Sequence, residues 1–197
     1  MRPFLKFLIP ILIIICFVIT SCALQMDVPE ADGTGHYNLK TQETMIASSS
    51  DKISSDYLEG YFTIQSGKYY FFHLESDLNY NKRNRYKIKR GYHLTLFTEK
   101  DSVVSFMNSV DTTADKYLMT FGTNRRAYWT ARTLYVMPFD DVKKLATLHF
   151  TSARLQTSDT DQEFGVADNE HDFSISTKES KAINRLASLA LQNGPGR

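Results

Sequence analysis

Apolar and polar residues alternate along most of the chain after residue 56. This pattern predicts β-strands, because neighbouring side chains of a strand point to opposite faces. In the stretch YFTIQSGKYYFFHLES, Phe62 and Ile64 share one face, and Phe72 and Leu74 share one face of the following segment. Gly67 lies between the two segments and can adopt the positive φ of a tight turn. The stretch therefore predicts a β-hairpin.

The same alternation predicts strands in later segments. The stretch KYLMTFGTNRRAYWTARTLYVMPF predicts a second hairpin that turns around Gly122. YHLTLFTE predicts a strand with Leu94 and Leu96 on one face, and LHFTSARLQT predicts another strand. Trp129, in the second hairpin, is expected either in the core or as an exposed aromatic anchor for a partner.

Helical spacing of apolar residues predicts two or three helices. Residues Val103 to Val110 follow Asp101 and Ser102, which can cap a short helix. DDVKKLAT predicts one or two helical turns with Asp140 as the cap. These elements are short, so their prediction depends on spacing and capping alone.

A longer helix is predicted at the C-terminus, from about Thr177 to Gln192. Ser176 and Glu179 have the spacing of a capping box. An apolar stripe follows at helical intervals: Ile183, Leu186, Ala187 and Ala190. Together these elements predict an α+β domain, with a mostly antiparallel sheet of about six strands and the C-terminal helix packed on one face.

The first 21 residues have the organisation of a secretory signal. Arg2 and Lys6 precede an uncharged apolar run from Phe7 to Ile19, and short polar residues follow. The run is shorter than the roughly 20 residues that a membrane-spanning helix needs. Residues 1–21 are therefore not expected to belong to the folded domain.

The end of this segment, Ile19-Thr20-Ser21-Cys22, resembles the lipobox of bacterial prolipoproteins. The resemblance covers residues 1–22 and implies that the Cys22 thiol receives a diacylglyceryl group before cleavage. Two or three acyl chains then hold a protein stably on a membrane. An ordinary signal peptide with an incidental cysteine is the alternative.

Residues 22–55 are predicted to form a flexible tether, and residues 56–197 a single domain. The first segment is rich in Ser, Thr and Asp and poor in apolar residues, with a short helix over 38–47 as the alternative. Because Ala23 follows Cys22, the lipobox resemblance implies the outer membrane, facing the periplasm, in a Gram-negative host. Without the signal, the 22 acidic residues outnumber the basic ones by one, so the net charge does not indicate a nucleic-acid partner.

A basic run over residues 82–90 is the first candidate binding surface. Tyrosines lie between its cations, and this combination suits an anionic polymer. The predicted anion-binding residues are Arg83, Arg85, Lys87, Lys89 and Arg90. The alternative is the solvated face of an edge strand, where charge prevents aggregation.

Two groups of residues are candidate metal ligands. The acidic stretch over residues 159–170 resembles a calcium-binding loop of the EF-hand kind in its alternating oxygens. Phe164 stands where the sharp-turn glycine is expected, so a solvated acidic loop is preferred. His73, His93 and His149 could bind zinc only if three strands converged. No metal and no cofactor is therefore predicted.

These observations predict a lipid-anchored, non-catalytic binding or assembly module of a bacterial envelope. The expected partner is an envelope protein or an anionic envelope polymer, bound through the basic run or an open sheet edge. Two alternatives stay open: a surface-exposed lipoprotein that contacts host or phage molecules, and a hydrolase or metal-dependent enzyme with an unrecognised site. The sequence contains no G-x-S-x-G nucleophile elbow.

Overall fold

The computed structural model describes residues 30–31, 37–51, 54–65, 69–79, 85–100, 103–121, 124–161 and 165–194. The strands are β1 (Glu30–Ala31), β2 (Tyr37–Lys40), β3 (Thr44–Asp51), β4 (Ser54–Gln65), β5 (Tyr69–Asn79), β6 (Arg85–Ile88), β7 (His93–Thr98), β8 (Val103–Met107), β9 (Thr112–Thr113), β10 (Asp115–Phe121), β11 (Asn124–Met137), β12 (Phe150–Asp161) and β13 (Gly165–Ser174). The helices are α1 (Phe139–Thr147) and α2 (Thr177–Asn193).

The sheet dominates the fold, so the predicted α+β class with about six strands is wrong. The described residues form one 13-stranded sheet, and 11 of these strands are longer than two residues. Neighbouring strands run antiparallel, and the sheet is curved into a half-barrel. The predicted hairpins are present as β4–β5 and β10–β11, while several other strands lie in segments predicted to be helix, tether or loop.

β8 replaces the short helix predicted after Ser102. Val104 and Phe106 are buried, whereas Val103 and Met107 are exposed, so burial alternates with a period of two. Apolar residues on both faces of a strand also satisfy helical spacing, and only a neighbouring strand distinguishes the two structures. β7 is that neighbour, since it pairs with β8 along its whole length.

β2 and β3 form within residues 22–55, which have the composition of a tether. β3 pairs with the first half of β4, and β2 pairs with the second half. Pairing with a long neighbouring strand satisfies the backbone hydrogen-bonding groups. The side chains of Ile46 and Ala47 supply buried apolar surface. A segment of low apolar content therefore joins the sheet because a partner strand is in place.

The two ends of the curved sheet, β10 and β9, lie close together. Its strand order is β10-β11-β5-β4-β3-β13-β12-β6-β9, with β2 also on β4, and β7 and β8 beside β12. The end strands β9 and β10 are separated along the chain only by Ala114, which is fully buried. Asn108 forms a bridge to Tyr135 in β11. The segment from β8 to β10 therefore connects the two ends of the sheet.

α2 packs on the sheet beside β3, β4 and β12, and α1 packs on α2 and reaches β8. α2 has the predicted capping box, because Ser176 Oγ accepts from the Glu179 backbone N–H while the Glu179 carboxylate accepts from the Ser176 N–H. The predicted apolar stripe is buried: Ile183, Leu186, Ala187 and Ala190. The C-terminal helix is thus confirmed. α1 also lies where a helix was predicted, but Pro138 rather than Asp140 is its N-cap residue.

The apolar core lies against one face of the sheet. Phe62, Phe72 and Tyr135 are among its large buried side chains. Gly60 is needed beside Phe72, because a Cβ atom at this position would lie 2.4 Å from Phe72 Cζ. The absence of a side chain at position 60 therefore leaves the space that the Phe72 ring occupies over β4.

Candidate functional site

The structure describes four of the five predicted anion-binding residues: Arg85, Lys87, Lys89 and Arg90. Arg83 lies outside the described residues, as do Cys22 and the predicted signal. β6 exposes Arg85 and Lys87, and buries Tyr86 and Ile88.

Carboxylates already bind two of these four cations. Arg85 Nη2 lies 3.1 Å from Asp115 Oδ1, and Arg85 Nε donates to the Ala114 carbonyl at 2.7 Å. Lys89 Nζ lies 3.3 Å from Asp168 Oδ1. Arg85 therefore holds together the junction between β9 and β10, in addition to any role in binding.

Lys89 and Asp168 belong to a small hydrogen-bonded group with Tyr92. The Tyr92 hydroxyl donates to Asp168 Oδ1. Hydrogen bonds with Tyr92 and Lys89 lower the pKa of Asp168, and those with Tyr92 and Asp168 raise the pKa of Lys89. Within the described part of the chain, Lys87 and Arg90 are in no ion pair. Of the four described cations of the basic run, these are the two whose side chains are in no ion pair.

The acidic stretch lies beside the basic strand instead of forming a separate loop. β12 pairs with β6, and in their register Thr160 is the partner of Arg85 and Ser158 the partner of Lys87. β13 pairs with β12 through the same region. The predicted solvated loop is therefore largely a hairpin, although residues 162–164 at its tip lie outside the described residues.

The described residues contain no group of three or more His, Cys, Asp or Glu that could hold a metal ion. His73 stacks on Tyr61, with ring centroids 4.6 Å apart, and its pKa is lowered by burial and by Lys40. His93 is hydrogen-bonded to Ser105 at 2.9 Å. His149 is exposed between α1 and β12. Trp129, the other residue singled out in the sequence, is partly buried against the core.

A groove lined by polar residue types opens near the place where the ends of the sheet meet. It has a cavity volume of about 510 Å³. Its lining residues come from β5, β9, β10 and β11: Glu75, Thr112, Thr113, Asp115, Thr130 and Arg132. A second cavity of about 300 Å³ shares Glu75 and Arg132 with the first. We call these two neighbouring cavities, which share two lining residues, the Arg132 groove.

The ion pair between Arg132 and Glu75 forms the boundary between the two cavities. The two residues are opposite each other on β11 and β5, with 2.5 Å between Arg132 Nε and Glu75 Oε2. The arginine side chain is 81% exposed and the glutamate side chain 18%. The hydrogen bond and the charge of Glu75 raise the pKa of Arg132. Among the described residues only Nε of this side chain is hydrogen-bonded, so both terminal nitrogens can donate to a bound molecule.

The basic run meets this groove at one residue. Asp115 lines the larger cavity and is also the carboxylate that binds Arg85. Thr112 Oγ1 donates to the Arg132 carbonyl at 3.0 Å. The Thr113 hydroxyl has no hydrogen-bond partner among the described residues, so it can both donate and accept. The lining of the groove therefore combines one complete ion pair, Glu75 with Arg132, with the carboxylate of Asp115 and threonine hydroxyls.

Carboxylates outnumber cations beside the groove. Glu59 lies opposite Glu75 on adjacent strands. Burial raises the pKa of Glu59, and so do the nearby charges of Glu43, Glu75 and Asp77. An anionic group placed near Glu75 would meet the same repulsion.

Sequence reasoning missed the Arg132 groove because its residues have no common local pattern. Glu75 and Arg132 are 57 positions apart and meet only through the register of β5 and β11.

No helix in the described part of the chain has the length and apolar character to cross a membrane. Comparisons with family models, curated proteins and solved structures returned no match to this chain.

Proposed function

We propose that this chain is a lipid-anchored binding module of a bacterial envelope, without catalytic activity of its own. The observation that carries the binding role is the Arg132 groove. Its larger cavity falls within the range of about 300–1,000 Å³ that is typical of ligand sites. Its ion pairs hold polar groups in place before a partner arrives, which lowers the entropic cost of binding.

The anchoring role is supported by the lipobox resemblance at Cys22. A lipid at this residue would hold the sheet domain beside a membrane, with the outer membrane facing the periplasm as the proposed location in a Gram-negative host. The proposed partner is an envelope protein or an envelope polymer. Lys87 and Arg90 remain the residues proposed to contact an anionic part of that partner.

The anchor is tested by replacing Cys22 with serine. We expect the wild-type protein to sediment with membranes and the Cys22→Ser variant to stay in the supernatant. Cys16→Ser is the matched control, because Cys16 lies within the signal and should not affect lipidation. Mass spectrometry of the mature N-terminus then identifies the modification. Sedimentation of Cys22→Ser with membranes at the wild-type level would contradict the anchoring proposal.

The binding role is tested with intact lipidated protein in detergent. Envelope fractions are passed over the immobilised wild-type, Arg132→Gln and Arg154→Gln proteins. Arg154 is a matched control, because it also forms exposed ion pairs, with Glu170 and Asp172 on β13, but does not line the groove. We expect Arg132→Gln to retain less of the partner than the other two proteins. If all three proteins retained the same amount of partner, the groove would not be part of the binding surface.

A further inference from the structure

We infer that the Arg132 groove binds a neutral oligosaccharide. This inference rests on the proposed binding function and names its ligand class. It depends on three features of the groove: the arrangement of its ion pairs, its free hydroxyl groups and its excess of negative charge.

Each ion pair places a hydrogen-bond acceptor next to a donor. In the pair that lines the groove, Glu75 offers carboxylate oxygen beside the terminal nitrogens of Arg132. Asp115 also lines the groove, but its partner Arg85 does not. A sugar hydroxyl can donate and accept at once. Two neighbouring hydroxyls on a sugar ring can therefore contact the carboxylate and the guanidinium of one pair together. Hydrogen bonds to charged groups are roughly twice as strong as neutral ones.

The threonine hydroxyls extend this polar lining. Thr113 has no internal hydrogen bond among the described residues, and Thr112 donates to a backbone carbonyl while its oxygen can still accept. A ligand with many hydroxyl groups can satisfy these atoms. An apolar ligand would leave them unpaired and lose affinity.

The second cavity adds apolar surface next to the ion pair. Tyr61, Val110 and Leu134 line it together with Glu75 and Arg132. Sugar rings have apolar C–H faces as well as hydroxyl groups, and aromatic side chains supply a large apolar surface with a polar tip. A chain of several sugar units can therefore follow the groove from the hydroxyl-rich cavity into the partly apolar one.

The charge around the groove favours a neutral ligand over an anionic one. Glu75 and Asp115 line the larger cavity, Glu43 lines the smaller one, and Glu59 lies opposite Glu75. Arg132, bound to Glu75, is the one cation among the described lining residues. Arg85, bound to Asp115, and Lys40, with Nζ 4.2 Å from the centroid of the Tyr61 ring, lie beside the groove, so these four carboxylates face three cations. An anion would face this carboxylate excess, whereas a neutral sugar would not.

Isothermal titration calorimetry on the intact lipidated protein in detergent tests the inference. The probes are neutral tetrasaccharides of glucose and of N-acetylglucosamine, a sulfated tetrasaccharide and a lysine-rich peptide. We expect a neutral tetrasaccharide to bind more tightly than the sulfated one and the peptide. Absence of binding by both neutral tetrasaccharides, or tighter binding of the sulfated sugar or the peptide, would overturn the inference.

Variants locate the binding in the groove. Arg132→Gln should weaken binding roughly tenfold or more, because it removes hydrogen bonds from a charged donor. Thr113→Val should weaken it by a smaller factor while keeping the side-chain shape. Arg154→Gln should stay within about twofold of wild type. Equal affinity of Arg132→Gln and Arg154→Gln would show that the sugar binds elsewhere, which also overturns the inference.

The retention experiment separates this inference from the proposed function. If Arg132→Gln loses the envelope partner but no neutral tetrasaccharide binds the wild type, the groove binds another chemical class and the ligand class named here is wrong. If the wild-type protein binds a neutral tetrasaccharide and Arg132→Gln does not, the ligand class is supported.

Discussion

At the scale of single residues, Asn108 shows how one buried polar side chain holds distant segments together. It is 1% exposed. Its Nδ2 group donates to the carbonyl oxygens of Ile88 and Lys89, at 3.3 and 3.2 Å, and to that of Val110. Asn108 therefore fastens the segment after β8 to the end of β6, beside its bridge to β11.

We expect Asn108→Ala to lower the free energy of unfolding by about 2–3 kcal/mol, because the buried Ile88 carbonyl and the partly buried Val110 carbonyl each lose a donor. Urea unfolding followed by circular dichroism measures this loss. Asn193→Ala is the matched control, since Asn193 Nδ2 donates to Leu189 at the exposed end of α2. The control should change stability by less than about 0.5 kcal/mol. If both variants unfolded at the same urea concentration, Asn108 would not stabilise the fold in this way.

Asp77 is a second residue whose behaviour depends on its surroundings. It is buried, and burial raises the pKa of its carboxyl, although hydrogen bonds from Thr130 and Tyr57 act in the opposite direction. Folding therefore favours the protonated form. The resulting stabilisation is present below the unfolded-state pKa of about 3.9 and is lost as pH rises through the folded-state pKa.

The Asp77→Asn variant removes this titration and keeps an acceptor for Thr130. We expect the unfolding free energy of the wild type, relative to Asp77→Asn, to decrease as the pH is raised from about 4 to 7. Urea unfolding of both proteins at a series of pH values measures the difference, and the contributions of other titrating groups cancel to first order. A difference that is constant across this range, or that increases with pH, would contradict the assignment.

At the scale of elements, α2 is stabilised locally and also fastens the sheet. Glu179 completes the capping box with Ser176, and its Oε1 atom accepts from Ser48 Oγ at 3.3 Å. Asn184 Nδ2 donates to the carbonyls of Leu145 and Leu148 at the end of α1. The capping box was predictable because its groups are three residues apart, whereas the contacts with β3 and α1 depend on packing.

We expect Ser176→Ala to lower the free energy of unfolding by about 1 kcal/mol, because a backbone N–H at the start of α2 loses its acceptor. Ser176→Asp should retain most of the stability, since aspartate is also a good N-cap residue. Thermal and urea unfolding of the two variants measure the effect. The same stability for alanine and aspartate would mean that the cap does not stabilise this helix.

The elements that the sequence did not predict have a common cause. β13 is rich in acidic and polar residues, and β8 carries apolar residues on both faces. Neither strand has the simple alternation of an amphipathic strand, so each is defined by its neighbour. β13 is held by ten residue pairs with β12. Local propensity is weak compared with such pairing.

At the scale of the whole molecule, the sheet has a weakly paired junction between β3 and β13, which we call the seam. Among the described residues, β3 and β13 are neighbours in the strand order but are joined through a single residue pair, Ser48 with Ser174. The central strand β5 pairs along most of its length with both β4 and β11. Resistance to local opening therefore differs across the sheet.

We expect amide hydrogens of β3 and β13 that face the seam to exchange much faster than those of β5. Hydrogen–deuterium exchange, read by NMR at single residues, measures this difference. Within β3, the amides that bond to β4 serve as an internal control, because they belong to the same strand but to a continuous ladder. Seam amides protected as strongly as those of β5 would contradict the expectation.

The features that the sequence determined by itself are those whose interactions lie within a few residues. The hairpins β4–β5 and β10–β11, α1 and the capped helix α2 belong to this class, and the lipobox prediction at Cys22 rests on the same kind of local pattern. Alternation, turns and caps act between neighbours along the chain, so one segment is enough to show them.

Only the tertiary structure decided which distant strands become neighbours. It placed the acidic hairpin beside the basic strand and allowed Arg85 to form an ion pair with Asp115. It also brought together Glu75 and Arg132, which are 57 positions apart in the sequence. These contacts depend on strand order and register, and a shift of one residue turns every side chain to the other face. No single segment carries that information, because pairing is a property of two strands and of the curvature that brings them together.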